Sequence, residues 1–468
     1  MEEPLDFEEE DQLVRTPLRP TNTNKRSKVI GLDDLLTDYY EEKNKYVHRK
    51  SKRLSLSKVY NSDEDDKSRK YKERMLSKFV HDCEKQASRI DQFAEEEIPL
   101  WGQRVFGHQK SLPSTEYKGV ADCQLLQSSS IGDLMSVIYL NEEQGESFLE
   151  GLLVNRWLCK LAFVSGFVED SIATWVFNKM LYSSNGELQV SACEFWCDIL
   201  LSKDEADKPS VSLGWFPGYS QLMDALATYG YLFDTSMSHS SLSQEVHTDK
   251  PEGPPENISS WIKVISACCQ IRSPRSIFSI SEAEELLCII IHFSLDRELQ
   301  GLLFIINEGM QSIIRFFSEE EWDVSCKRVA KSLAFRTPKD LNCLRVVECI
   351  SVTNGRSKQL RSQIALQLLT LRFDIKVNDY KEILEVLMSV NVKDKDCDFF
   401  KLYIYLVLAE NFLSFHHLGE EKSVAIDTWC KFLRNCSSQI TSTDWRSYAS
   451  KVRNKASYIL QTTVEKST

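Results

Sequence analysis

Glycine and proline are scarce, 17 and 12 in 468 residues, well below the ~12% that the two together average. A chain of many short β-strands needs many Gly- and Pro-rich turns, so an all-β class is disfavoured. No window approaches the ~18 consecutive apolar residues of a membrane span. The longest apolar runs, Leu286–Phe293 and Leu302–Ile306, have the length of core helices. An excess of positive charge is absent as well. The formal net charge is −12, so no globally basic surface grips nucleic acid and only a local patch is left for that role. Hydrophobic residues are 42% and aromatics 10%, which excludes a mostly disordered or fibrous protein.

The usual signatures of chemistry are missing too. There is no GxGxxG or GxxxxGK[ST] phosphate loop, no HExxH and no GxSxG. The 14 cysteines form no CxxC and no zinc-finger spacing. They sit on apolar faces, as Cys193 and Cys197 do one helical turn apart. The opening MEEPLDFEEEDQ is acidic where a secretory signal starts basic and turns apolar. Reduced, buried thiols are therefore expected, and the sequons at Asn257 and Asn435 carry no sugar. His416 and His417 are adjacent and point about 100° apart on a helix, so they do not chelate one metal together. His292, inside a run of Ile and Phe, reads as a core histidine. The expectation is a protein that is not an enzyme, with no catalytic residue, cofactor or metal.

Residues 1–75 are dense in charge and poor in apolar clusters, the composition of a disordered tail. Two basic clusters lie in it. They are Lys25, Arg26 and Lys28, then Arg49, Lys50, Lys52 and Arg53. Such clusters serve as nuclear import signals, against the plainer reading of a solvated charge run. Leu32, Leu35 and Leu36 share one face of a single helical turn, either docking into a partner groove or folding back on the chain's own body. Ser62 precedes Asp63-Glu64-Asp65-Asp66 and is a candidate for phosphorylation by an acidophilic kinase, or part of an unmodified solvating stretch. Residues 76–119 read as an amphipathic helix and linker. Leu76, Cys83 and Ile90 recur every seven residues with Val80, Ala87 and Ala94 between them, ending before Pro99.

From about residue 120 the pattern is helical. Leu149, Leu152, Leu153, Trp157, Leu161 and Ala162 form one stripe, Leu360, Ile364, Leu368 and Leu371 a second, and Ala425, Trp429, Phe432 and Leu433 a third. Ser281 with Glu284 and Ser318 with Glu321 read as capping boxes, and Thr337-Pro338 as a helix start. Trp157, Trp175, Trp196, Trp322 and Trp429 are expected to pack between helices, and Trp101 to stand at a helix break as an exposed anchor. The Ser- and Pro-rich 234–256 is expected to be a disordered loop separating a first helical stretch, 120–233, from a second, 257–464. No period-2 alternation is sustained. The predicted fold is all-α, an irregular α-solenoid-like array of the HEAT or armadillo kind, with a compact multi-helix globule as the competing reading. Near the C-terminus, Arg446, Lys451, Arg453 and Lys455 form a weak basic patch or a solvated face.

Several whole blocks resemble a known family. They are Gly31–Tyr40, Ser57–Asp63, FLEGLLVNRWLCKLAF at Phe148–Phe163, WVFNKMLYSS at Trp175–Ser184 and ACEFWCDILL at Ala192–Leu201. These look like plant members of the CANIN-domain group, whose name refers to interaction with subunits of the SMC five–six complex. The resemblance runs from about residue 29 through 235 and more loosely beyond. It implies a non-enzymatic nuclear adaptor that helps bring the SMC five–six complex to damaged or replicating DNA for recombination and repair. It also implies pairing with a second helical non-SMC subunit. DNA association would then be weak and indirect, with no membrane and no small-molecule substrate. Animal members carry a much longer N-terminal region, so partner sites there do not transfer to this chain. From the residues alone, a second reading stands beside the adaptor: a nuclear helical-repeat protein that binds nucleic acid directly or scaffolds another chromatin or transcription complex.

Changing Leu32, Leu35 and Leu36 together to Ala is expected to reduce partner recovery in co-precipitation while the thermal midpoint of the body stays unchanged. A large drop in midpoint would instead assign the three leucines to the core.

Overall fold

Apolar side chains returning every three to four residues give each helix one face that must be buried, and a succession of such helices buries them against one another. The structure, a computed structural model, describes residues 101–115, 123–127, 142–202, 210–233, 253–271, 276–373, 380–415 and 422–465, together with Arg74, Ser77 and His81. The chain divides into two units, Met1–Glu96 and Glu97–Thr468, and nearly all the described residues belong to the second. The basic clusters, Leu32, Leu35, Leu36, Ser62, the seam from Leu76 to Ala94, positions 234–252, His416 and His417 lie outside the described residues.

The second unit is an all-α array with sixteen α-helices among the described residues. The first five are α1 (Gln124–Gln127), α2 (Glu142–Val154), α3 (Trp157–Ser165), α4 (Asp170–Tyr182) and α5 (Gly186–Leu201). Next come α6 (Tyr219–Thr228), α7 (Ile258–Gln270), α8 (Ile280–Phe293), α9 (Leu303–Phe316), α10 (Glu319–Arg336) and α11 (Asn342–Glu348). The last are α12 (Gly355–Phe373), α13 (Tyr380–Ser389), α14 (Phe399–Phe415), α15 (Lys422–Gln439) and α16 (Ala449–Glu465). The one sheet among the described residues is tiny: β1 (Phe167–Val168) runs parallel to β2 (Ser212–Leu213), pairing Phe167 with Ser212 and Val168 with Leu213.

Alternate helices pack side by side, the habit of a solenoid. One ladder is α5, α7, α9 and another is α8, α10, α12. Side-chain contacts give the direction. Ile262 and Ser266 of α7 meet Gly309 and Ser312 of α9, so these two run parallel. Glu284 and Cys288 of α8 meet Arg328 and Val329 of α10 in the same order. Arg356 and Gln359 of α12 meet Glu319 and Asp323 of α10, again in order. Arg361 and Ser362 of α12 meet Asn411 and Phe412 of α14. One apolar core runs through all of it. The stretches on either side of 234–256 share that core, with α4 and α5 packed on α7.

Several local expectations are corrected. The box at the start of α8 is Ser279 with Glu282, not Ser281 with Glu284. Both pairs have the right spacing, but Phe278 and Ala283, the staple positions flanking the first pair, are both buried and start the helix two residues earlier. The box of Ser318 and Glu321 is present at the start of α10. Thr337 closes α10, its N–H bonding the Leu333 carbonyl, so Pro338 follows a helix end and α11 begins only at Asn342. The stripe from Leu149 to Ala162 is broken at Arg156, whose φ of 62° is left-handed. The break turns the second half, and Trp157 emerges 52% exposed while Leu149, Leu152, Leu153, Leu161 and Ala162 are buried. Leu371 likewise emerges at the end of its stripe. Trp175, Trp196, Trp322 and Trp429 are buried. Trp101 is half-buried, with the guanidinium groups of Arg297 and Arg345 5.4 and 4.7 Å from its ring centre and its carbonyl accepting from Arg297.

Gly309 marks the closest approach between helices. A Cβ there would lie 2.7 Å from Ile262 Cγ2 and 3.3 Å from Ile290 Cδ1, so α7 and α8 both press on the missing side chain. Gly309→Leu is expected to lower stability by roughly 2–3 kcal/mol through overpacking, measured by denaturant unfolding. A loss below ~0.5 kcal/mol would show that the helices separate freely there.

Candidate functional site

The end of α9, the starts of α10 and α12, and the end of α14 enclose a groove of about 1240 Å³. Its wall is a polar network built on Arg356. That side chain donates to the carbonyls of Ile314 (3.1 Å) and Phe317 (2.6 Å), which close α9, and to Glu319 (2.6 Å). Its guanidinium lies 6.0 Å from the Trp322 ring centre. Trp322 Nε1 donates to Gln359 (2.8 Å), and Gln359 donates in turn to Asp323 (2.5 Å). Asn354 caps α12 by accepting from the Ser357 N–H (2.8 Å), and its amide donates to Gln311 Oε1 (2.7 Å). The Gln311 amide nitrogen, buried behind Asn354, has no partner among the described residues.

Against this fixed wall stand free groups. The side chains of Arg315, Lys358 and Gln363 line the groove without a hydrogen bond or ion pair among the described residues. Arg315 and Lys358 are exposed. Two cations and an amide, on α9 and α12, therefore line the groove unpaired. Sequence reading missed it because its residues lie on four helices and carry no local pattern.

The residues singled out in the sequence are placed as follows. Arg446 is bound at Asp444 (2.7 Å) and the carbonyls of Val392 and Asp394, and covers the Phe399 ring. Lys455 pairs with Glu410 at 2.7 Å. Lys451 lies over the Tyr448 ring at 4.2 Å, and Arg453 is half-buried beside Asn454. Two of the four charges are thus paired within the protein.

The thirteen described cysteines are free thiols. Burial pushes Cys123, Cys269, Cys288, Cys326 and Cys436 up to about 12, so each holds its proton. Cys197 is raised by its hydrogen bond to Cys193 and by burial. No group of three or more His, Cys, Asp or Glu able to hold a metal ion occurs among the described residues. No described helix is long and apolar enough to cross a membrane. A different surface stands out on α3, whose outer side shows Trp157, Phe163 and Val164, the last 85% exposed. Lys160 lies 4.5 Å above the Trp157 ring. Arg156 anchors the start of α3 to α5 through Asp198 at 2.6 Å. Compared with known proteins, the chain matches no family model and no curated sequence.

His292 is the buried titratable group with the clearest consequence. Its Nδ1 shares a hydrogen bond of 3.0 Å with the Tyr231 hydroxyl, and Nε2 has no partner among the described residues. Burial, with Arg336 nearby, pulls it down to about 4, against ~6.5 for a free imidazole. The fold therefore holds the neutral ring. Its contribution is complete above pH ~6.5 and is lost as pH falls toward 4, because the unfolded chain takes up the proton first. The thermal midpoint is expected to drop across that window, and His292→Gln to flatten the drop. An unchanged pH profile in the variant would remove His292 as its source.

Proposed function

We propose that the protein is a non-catalytic adaptor of the nucleus that associates with the SMC five–six complex. In this role it works beside a second helical non-SMC subunit and supports recruitment of the complex to DNA damage or stalled replication for homologous recombination and repair. What carries the reading is the block resemblance to the CANIN-domain group. Three of its blocks fall on α2 to α5, helices that pack on one another. The same blocks supply Trp157 and Phe163, two of the exposed apolar side chains of α3, and exposed apolar surface can mark a partner site. A helical array also suits the role, since stacked helices offer long surfaces that recognise partners by shape.

Direct DNA binding is the weaker alternative. The chain carries −12 net charge, and Arg446 and Lys455 of the C-terminal patch are paired within the protein. A direct binder needs several free cations on phosphates.

Affinity purification of the tagged full chain from nuclei is expected to recover SMC five–six subunits with a second helical non-SMC chain. Recovery of no SMC subunit would overturn the adaptor reading. Trp157→Asp with Val164→Asp is expected to cut that recovery at an unchanged thermal midpoint.

A further inference from the structure

We infer that the groove at the junction of α9, α10, α12 and α14 is a docking site for an extended, acidic peptide segment of a partner protein. It rests on reading the chain as an interaction subunit, though not on the identity of the partner.

Size speaks first. At about 1240 Å³ the groove exceeds the ~300–1,000 Å³ of small-molecule pockets. Apart from Ile314 and Trp322 its lining is made of charged, amide and hydroxyl side chains, with Gly355 at the start of α12. An extended peptide presents unpaired N–H and C=O groups along its length, and these are the groups that Asn, Gln and Ser side chains satisfy. Gln363 is free to do so.

Charge decides the kind of peptide. Arg315 and Lys358 are exposed groove cations without partners among the described residues. Some cations of the unit are held by acids: Lys179 by Glu146 and Glu150, Arg156 by Asp198, Arg446 by Asp444, Lys455 by Glu410. In the groove itself Arg356 is occupied by Glu319 and two carbonyls, so it stiffens the wall and leaves Arg315 and Lys358 to the ligand. Carboxylates on the peptide complement these two. Nucleic acid fits less well, because two free cations neutralise few phosphates.

The wall is also preorganised. Gln311, Asn354, Ser357, Trp322, Gln359 and Asp323 fix one another by hydrogen bonds. A ligand therefore orders few protein side chains on binding.

The test is fluorescence anisotropy with the full-length chain and a labelled peptide alternating Glu and Ser. Controls are the same peptide with Lys for Glu and a labelled single-stranded oligonucleotide. The acidic peptide is expected to bind and the basic one not, with affinity falling as salt rises. Arg315→Glu with Lys358→Glu should weaken binding about tenfold or more, and Gln363→Ala by about threefold, each at an unchanged thermal midpoint. Glu319→Gln should tighten it. No binding of the acidic peptide, equal binding of the basic one, tighter binding of the oligonucleotide, or indifference to the double substitution would each overturn the assignment. If the double variant fails to fold, the single changes Arg315→Gln and Lys358→Gln are read in its place. Because the probe is a synthetic peptide, this result and the recovery of SMC subunits from nuclei succeed or fail separately.

Discussion

The array turns on the contact around Gly309. The ladder α5, α7, α9 and the ladder α8, α10, α12 meet where α9 lies against both α7 and α8. At that crossing Ile262 from one side and Ile290 from the other occupy the space that a side chain on α9 would need. Close-packed interiors transmit such a constraint, since no void is available to absorb a displaced helix. The position of α9 then sets the carbonyls of Ile314 and Phe317, which Arg356 reads at the far end. Arg356 in turn fixes the start of α12 against the start of α10. A glycine at the middle of α9 and a groove at its end are thus joined by one helix.

The helical class was legible from hydrophobic period, and most of the stripes are buried as their spacing requires. Ala425, Trp429, Phe432 and Leu433 are all inside, as are Leu360, Ile364 and Leu368. Period fails where one residue leaves the helical region. Arg156, with its positive φ, is an arginine and not a glycine, so nothing in the composition marks the break. The side chain compensates by bonding Asp198 on α5, a partner 42 residues away that no local window contains. The start of α8 failed for a different reason. Two overlapping pairs fit the capping spacing, and burial of Phe278 chose between them. The small parallel pair β1 and β2 is too short to leave any alternation in the sequence.

Charge was the least legible property, and for a general reason. Arg446, Lys451, Arg453 and Lys455 are neighbours in sequence, yet Arg446 holds the turn at Val392 and Asp394 while Lys455 holds Glu410. Their charge ties the C-terminal helices together. Arg315 and Lys358 are 43 positions apart, on different helices, and no window counts them together. They face one groove because α9 ends beside the start of α12. A run of like charge in sequence is therefore a poor guide to a charged surface in this fold. What matters is which cations the packing leaves without an anion. In a chain of net −12, Lys179, Arg156 and Lys455 each find one within the protein. Arg315 and Lys358 stay unpaired in the groove because Glu319, the acid that lines it, is held by Arg356. Helix ends set side by side bring such cations together, and that is how an acidic protein can present a local site for acidic partners.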